Sequence, residues 1–164
     1  MKKIKMGVIG LGQRGSCLID TILAFDNVEI IAVCDAYEDR QKGAADKIEK
    51  GRGVRPLQYA EYRELLKNEE IEGVLVASSW DAHVKMAIDC MKAGKITAME
   101  VGGAESLEEC WELVHTYEET KTPIMMMENC CFDRFELISL ALARAGTLGE
   151  VVQCHGAYSH DLRD

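Results

Sequence analysis

Short apolar runs and segments with helical apolar spacing alternate along the whole chain, and that alternation leaves few architectures open. Ile4 to Ile9 is an apolar run ending in glycines, after which Leu18, Ile19, Ile22 and Leu23 recur at helical spacing. Val28 to Cys34 is a second such run, followed by a charged helix over Glu38 to Lys50 that closes on Gly51 and Gly53. Gln58 to Lys67 reads as a short helix around Leu65 and Leu66, and Gly73 to Ala77 as a strand buried on both faces. Val84, Ala87, Ile88 and Met91 then form a helical stripe that stops at Gly94. The strand Ile96 to Glu100 precedes a helix opened by a capping box, Ser106 with Glu109. Pro123 introduces the strand Ile124 to Met127, and a last helix runs from Asp133 to the Gly146 stop. Strict β/α alternation predicts an α/β fold built on a doubly wound parallel sheet, a Rossmann fold.

Val151 to Tyr158 reads as one further strand, the start of a second domain of α+β type. The expected organisation is a Rossmann domain over 1–130. It is followed over 131–164 by a crossover helix and the first strand of an incomplete substrate domain. A lone strand needs neighbours to bury its face, so the chain is expected to be a piece of a longer protein.

With 164 residues and 48% apolar content, one well-buried core is expected, not two. The net charge of −9 opposes the positive field that a nucleic-acid or anionic-membrane partner requires, which points to a small molecule instead. No apolar run is long enough to span a bilayer, and the expected location is the cytoplasm. Seven cysteines are an odd count, most of them within apolar patterns, so a disulfide framework is not expected. Cys130, Cys131, Cys154 and His155 are poorly spaced for zinc, and the expectation is structural thiols with no metal.

The turn after the first strand carries the chemistry. Gly10-Leu11-Gly12-Gln13-Arg14-Gly15 is a G-x-G-x-x-G sequence between a strand and a helix. There Gly10 can turn tightly, Gly12 can let backbone approach a pyrophosphate, and Gly15 can pack helix on strand. The helix N-terminus then faces the phosphates, with Gln13 and Arg14 in its first turn. Asp35, twenty positions after Gly15, ends the second strand where a carboxylate accepts bonds from the adenosine ribose hydroxyls, which favours NAD over NADP. Another nucleotide or S-adenosylmethionine remains compatible with the same turn. Ser78 and Trp80 lie just after the strand Gly73 to Ala77, at the carboxyl edge of the sheet. On the residues alone, Trp80 reads equally well as an interface aromatic, and His83 as a helix-start residue satisfied by a nearby carbonyl.

The run Met6 to Gly15, together with Trp80-x-x-His83 and Ala93-Gly94-Lys95, resembles the glucose–fructose oxidoreductase, inositol dehydrogenase and MocA family over nearly the whole chain. Most dehydrogenases of that family carry Glu-Lys-Pro after the fifth strand, where the lysine helps to move the substrate's hydroxyl proton. This chain reads Glu100-Val101-Gly102, and valine has no proton to exchange. Glu100-Val101, Met126-Met127-Glu128-Asn129 and Gly156-x-Tyr158-x-His160-Asp161-Leu162-Arg163 are similar to the family's NAD-dependent glycosidase branch, typified by bacterial α-N-acetylgalactosaminidases.

That resemblance implies a sugar substrate and hydrolysis through a redox cycle: oxidation at C3, elimination of the aglycone, water addition and re-reduction. Such enzymes dispense with the usual pair of carboxylates. It also implies that Trp80, His83, Glu100 and Asn129 join the cofactor site. Tyr158 would be the proton-abstracting base or its partner, Glu128 would assist proton transfer or hold a sugar hydroxyl, and His160 would lie near the reacting ring. Tyrosine ionises near pH 10, so Tyr158 would need a cationic or hydrogen-bonding neighbour such as Arg163 or His160. Ser79, Gly102-Gly103 and Phe132 depart from the branch pattern. A conventional sugar or polyol dehydrogenase and a non-catalytic dinucleotide-binding module stand as alternatives, and the full-length protein is expected to be a homo-oligomer.

Overall fold

The computed structural model describes residues 3–157 and Ser159. Six strands, β1 (Ile4–Ile9), β2 (Val28–Cys34), β3 (Leu57–Tyr59), β4 (Gly73–Val76), β5 (Ile96–Glu100) and β6 (Ile124–Met127), form one sheet in the order β3-β2-β1-β4-β5-β6. Every neighbouring pair is parallel. The helices are α1 (Gln13–Ile22), α2 (Glu38–Arg52), α3 (Tyr62–Leu66), α4 (Trp80–Lys92), α5 (Leu107–Thr120) and α6 (Arg134–Arg144). This is the doubly wound fold expected from the alternation, with the chain reversing direction across the sheet between β1 and β4.

The core shows why the alternation works. Successive strand side chains point to opposite faces, so neighbouring apolar residues are shared between two layers. Val8, Val33 and Leu75 join Leu18 and Ile19 of α1 and Ile48 of α2 on one face. Ile9, Ala32, Cys34, Val74 and Val76 join Leu65 of α3 and Cys90 of α4 on the other. All four residues of β4 are buried, and its Gly-Val-Leu-Val sequence has no polar alternation because helices cover both sides.

Lys95, the residue before β5, is buried, and its ammonium donates to the carbonyls of Asn68 and Ile71, each at 2.9 Å. It ties the start of β5 to the loop before β4. Lys95→Met would keep the stem and strand both carbonyls, an expected loss of about 1–3 kcal/mol, measurable by urea unfolding; an unchanged midpoint would contradict this role.

Three expectations are corrected. The segment from Gln58 is not one helix: Leu57–Tyr59 is β3, paired with Ala32–Cys34, and only Tyr62–Leu66 is helical. Three residues are too few to show a strand period, and only pairing with β2 reveals this edge strand. The strand expected from Val151 is absent over residues 151–157, where no neighbouring strand supplies hydrogen bonds among the described residues; its last residue, Tyr158, lies outside them. The cysteines, expected to be mostly core-like, are mostly exposed: among the described residues only Cys34 and Cys90 are buried, while Cys17 and Cys110 on helices and Cys130, Cys131 and Cys154 after the sheet are exposed.

The described residues divide into two compact units, one ending at Met127 and one beginning at Glu128. The second contains a short 3-10 turn over Cys130–Phe132 and the helix α6, whose residues are all exposed. No helix among the described residues is long and apolar enough to cross a membrane.

Candidate functional site

The carboxyl ends of β1, β2 and β4 open into a cleft of about 680 Å³, lined by Gly10, Gly12, Gln13, Arg14, Asp35, Tyr37, Arg40 and Ser78 among others. It lies at the point where strand order reverses, the position at which open α/β sheets bind ligands.

The glycines have three separate reasons. Gly10 has φ +88°, and a Cβ there would stand 2.5 Å from the backbone of Ala77 and Ser78. The first turn therefore packs directly on the end of β4. A Cβ on Gly15 would stand 2.0 Å from the Gly10 carbonyl oxygen, so α1 leaves the turn with no room for a side chain. Gly12 is different: it is the N-cap of α1, and a Cβ there would meet only the Arg40 guanidinium, at 3.9 Å. Its missing side chain leaves cleft space open, and no side chain caps the N-terminus of α1.

Asp35 is buried at the end of β2, where both carboxylate oxygens hold backbone. Oδ2 accepts from the Leu11 amide at 2.7 Å and Oδ1 from the Tyr37 amide at 3.0 Å. One carboxylate thus fixes the glycine turn to the β2–α2 loop. Its four lone-pair positions are not exhausted by two amides, so it can still accept from ribose hydroxyls. Gln41 supports it from behind, donating to the Asp35 carbonyl at 2.7 Å. Cys34 also lines the cleft, but burial first, and the charges of Glu61 and Asp35 after it, push its thiol up to about 12. It remains a neutral thiol near pH 7 and is no nucleophile.

Arg14 reaches across the cleft mouth to β5, its Nε donating to Glu100 Oε1 at 2.8 Å. Glu100 is buried, and its other oxygen accepts from the Val101 amide at 2.8 Å. Glu100 therefore meets the glycine turn through Arg14 and does not line the cleft itself. Trp80, the first residue of α4, is 65% exposed. A Cβ on Gly102 (φ +97°) would lie 2.5 Å from the Trp80 indole, so the ring rests on the Gly102 backbone.

His83 is 1% exposed, and its Nε2 is 3.0 Å from the Ser78 carbonyl oxygen. With Nε2 donating, the ring anchors the β4–α4 loop that carries Ser78. Its Nδ1 is buried with no hydrogen-bond partner among the described residues. Burial lowers its pKa below the usual 6.5, against the opposing pull of the Ser78 bond and the charges of Glu100 and Asp81. A histidine kept neutral in the fold contributes stability that is present above pH 6.5 and lost as pH falls through the lowered value. Thermal midpoints at pH 7.5 and 5.5 are expected to fall further in the wild type than in His83→Gln, which keeps an amide donor without a titrating ring. Equal falls would contradict this.

Of the residues singled out from the sequence, Gly10, Gly12, Gln13, Arg14, Asp35 and Ser78 meet at one cleft. Gly15 lies behind it, and Trp80, His83 and Glu100 stand on its β4–β5 side. Glu128 and Asn129 belong to the second unit, where Glu128 Oε1 accepts from the Cys130 amide at 2.7 Å. Tyr158 and His160 lie outside the described residues. Sequence reasoning passed over Tyr37 and Arg40, whose signal was an aromatic and a basic residue within five positions of Asp35.

Comparison with known proteins agrees with this fold. Residues 4–128 match the family model of the Gfo/Idh/MocA oxidoreductase family, NAD-binding Rossmann fold. Over 99% of its length the chain is 36% identical to a glycosyl hydrolase family 109 protein of Akkermansia muciniphila, covering 35% of that protein. It is also 36% identical, over 99% of the chain and 36% of the relative, to an α-N-acetylgalactosaminidase of Shewanella oneidensis. The chain thus spans about a third of the length of these curated relatives. Among solved structures, scyllo-inositol dehydrogenase from Lactobacillus casei, crystallised with NAD(H) and scyllo-inositol, superposes with a TM-score of 0.83 at 18% identity. The match covers 91% of this chain and 43% of that one.

Proposed function

Since this chain belongs to the Gfo/Idh/MocA oxidoreductase family, whose NAD-binding Rossmann domain it carries at residues 4–128, we propose that the protein containing it hydrolyses a glycoside of an amino sugar through a reversible oxidation. The observation that carries the reading is the similarity to an α-N-acetylgalactosaminidase along the whole chain, with Val101 where the family's dehydrogenases place a lysine.

The cleft suits a dinucleotide on its own evidence. Gly12 leaves room at the N-terminus of α1 for a pyrophosphate, and Asp35 offers a carboxylate to the adenosine ribose. When bound there, NAD would supply a hydride acceptor and donor. The residues around it position and shield. Asp35 orients the adenosine half, and Ser78, fixed through His83, borders the centre of the cleft. Trp80 on its Gly102 seat forms a wall on the β4–β5 side, the side on which the nicotinamide half falls when the adenosine half lies on β2. Val101 neither takes up nor releases a proton. We assign that task to Tyr158, assisted by Glu128, with His160 beside the sugar; Asn129 is assigned to the cofactor's surroundings, and His83 and Glu100 to supporting the cleft through Ser78 and Arg14. The dinucleotide-binding domain runs to about residue 130, and 131–164 begin the substrate domain. The full-length protein is proposed to be a cytoplasmic homo-oligomer.

Full-length protein incubated with an aryl N-acetyl-α-galactosaminide is expected to release the phenol with no accumulation of NADH. In deuterium oxide the sugar should exchange its C2 hydrogen. NADH forming in step with sugar oxidation, without phenol release, would overturn hydrolysis in favour of the dehydrogenase reading, which the resemblance to dehydrogenase folds keeps as the second choice.

A further inference from the structure

A groove of about 470 Å³ lies between α4 and α5, apart from the nucleotide cleft. Val84 and Ile88 of α4 and Thr116 of α5 form its floor. Lys85 and Lys92 stand on its α4 side, and Glu109, Glu112 and Glu119 on its α5 side. Asp89, the acid on the α4 side, is already taken by the Tyr62 hydroxyl at 2.6 Å and by Arg63 at 2.9 Å. Among the described residues Lys85, Lys92, Glu112 and Glu119 make no ion pair, so opposite charges face each other across the groove without meeting. At its α5 border Trp111 is more than half exposed, its ring stacked on His115 with centroids 5.8 Å apart.

We propose that this face binds a second copy of the chain, with α4 of each copy over α5 of the other about a two-fold axis that runs along the groove. Both helices cross between neighbouring parallel strands, so they run in the same direction. Rotation about an axis parallel to them leaves every residue at its own height. Lys85 and Lys92 stand five and twelve positions after the start of α4, and Glu112 and Glu119 stand the same five and twelve after the start of α5. The two lysines are therefore two turns apart on one stripe, as the two glutamates are, and each lysine falls on a glutamate of the other copy. The interface is isologous, so every pair occurs twice. The stems of the lysines and the Trp111 ring add apolar area around the buried floor. A wholly cationic partner would suit only the α5 side, which has five glutamates and no lysine or arginine. The chain's own α4–α5 face carries both signs in the order needed. An axis across the helices would instead set α5 on α5 and glutamate on glutamate, which charge opposes.

The test is sedimentation equilibrium of the 164-residue chain from micromolar to millimolar concentration, each variant first checked for a cooperative thermal transition. The wild type is expected to form dimers, with a dissociation constant that rises about tenfold when added salt reaches about 0.5 M. Lys85→Glu with Lys92→Glu, and separately Glu112→Lys with Glu119→Lys, should each weaken self-association at least about tenfold, because like charges then face each other. The second pair makes the chain less negative overall, so a weaker dimer there reports the local pairing and not net repulsion. An equimolar mixture of the two variants should dimerise again, since each copy then meets the opposite charge on both sides of the groove. Glutamine at the same positions serves for a pair that does not fold, and should weaken the dimer in the same direction. The proposal is overturned if the wild type stays monomeric throughout, if its dimer ignores salt, if the reversed pairs associate as the wild type does, or if their mixture stays monomeric. NAD titration of the same samples is a separate readout: the groove lies outside the cleft, so failure of the dimer leaves the dinucleotide reading standing, and failure of NAD binding leaves the dimer standing.

Discussion

Gly10→Ala is expected to destabilise the chain by about 2–5 kcal/mol and to abolish nucleotide binding with it. Two costs combine at this residue. An alanine at φ +88° is held in the left-handed region, and its Cβ would lie 2.5 Å from the backbone of Ala77 and Ser78. Backbone cannot swing away as a flexible side-chain end can, so either the glycine turn or the end of β4 must move. Both belong to the centre of the sheet, where Gly10 donates to the Cys34 carbonyl and Ala77 to the Ile9 carbonyl. Gly12→Ala supplies the contrast. Its Cβ meets only the end of the Arg40 side chain, so stability should change by less than about 1 kcal/mol. The added methyl would nevertheless occupy the space in which a pyrophosphate approaches the helix, and NAD binding should weaken severely. Urea unfolding and NAD titration of the two variants separate the fold role from the binding role. A stable, NAD-binding Gly10→Ala would refute the account of this turn.

Asp35→Ala is expected to weaken NAD binding by about ten- to a hundredfold, equivalent to about 1.5–3 kcal/mol for bonds to a charged acceptor. The loss has two parts. Ribose hydroxyls lose their acceptor, and the Leu11 and Tyr37 amides lose the bonds that fix the glycine turn to the β2–α2 loop. Thermal unfolding distinguishes them, because the second part lowers stability without any nucleotide present while the first does not. NAD affinity within twofold of the wild type would show that Asp35 serves the turn alone.

The Rossmann architecture was legible because its signals are local. A strand that ends in Gly10-Leu11-Gly12 and leads into Leu18 and Ile19 needs no distant residue to be read, and the same holds for Ser106 capping α5, where its hydroxyl accepts from the Glu109 amide at 3.1 Å. Even there the structure adds a detail: the Glu109 carboxylate returns to the Glu105 amide, one residue before the cap. β3 was missed because three residues become a strand only when β2 stands beside them. The cysteines were misjudged because apolar neighbours in sequence do not say which helix face meets the sheet.

The sequence by itself determined the β/α alternation apart from β3, the glycine turn, the acidic end of β2 and hence the class of ligand, since each depends on residues adjacent in the chain. Only the tertiary structure decided how those parts act on one another. Asp35 grips Leu11 across 24 positions, Arg14 reaches Glu100 across 86, and Trp80 rests on Gly102. Such contacts join ends of parallel strands that long crossovers separate in sequence. Their partners are fixed by the order of strands in the sheet, which no local pattern encodes.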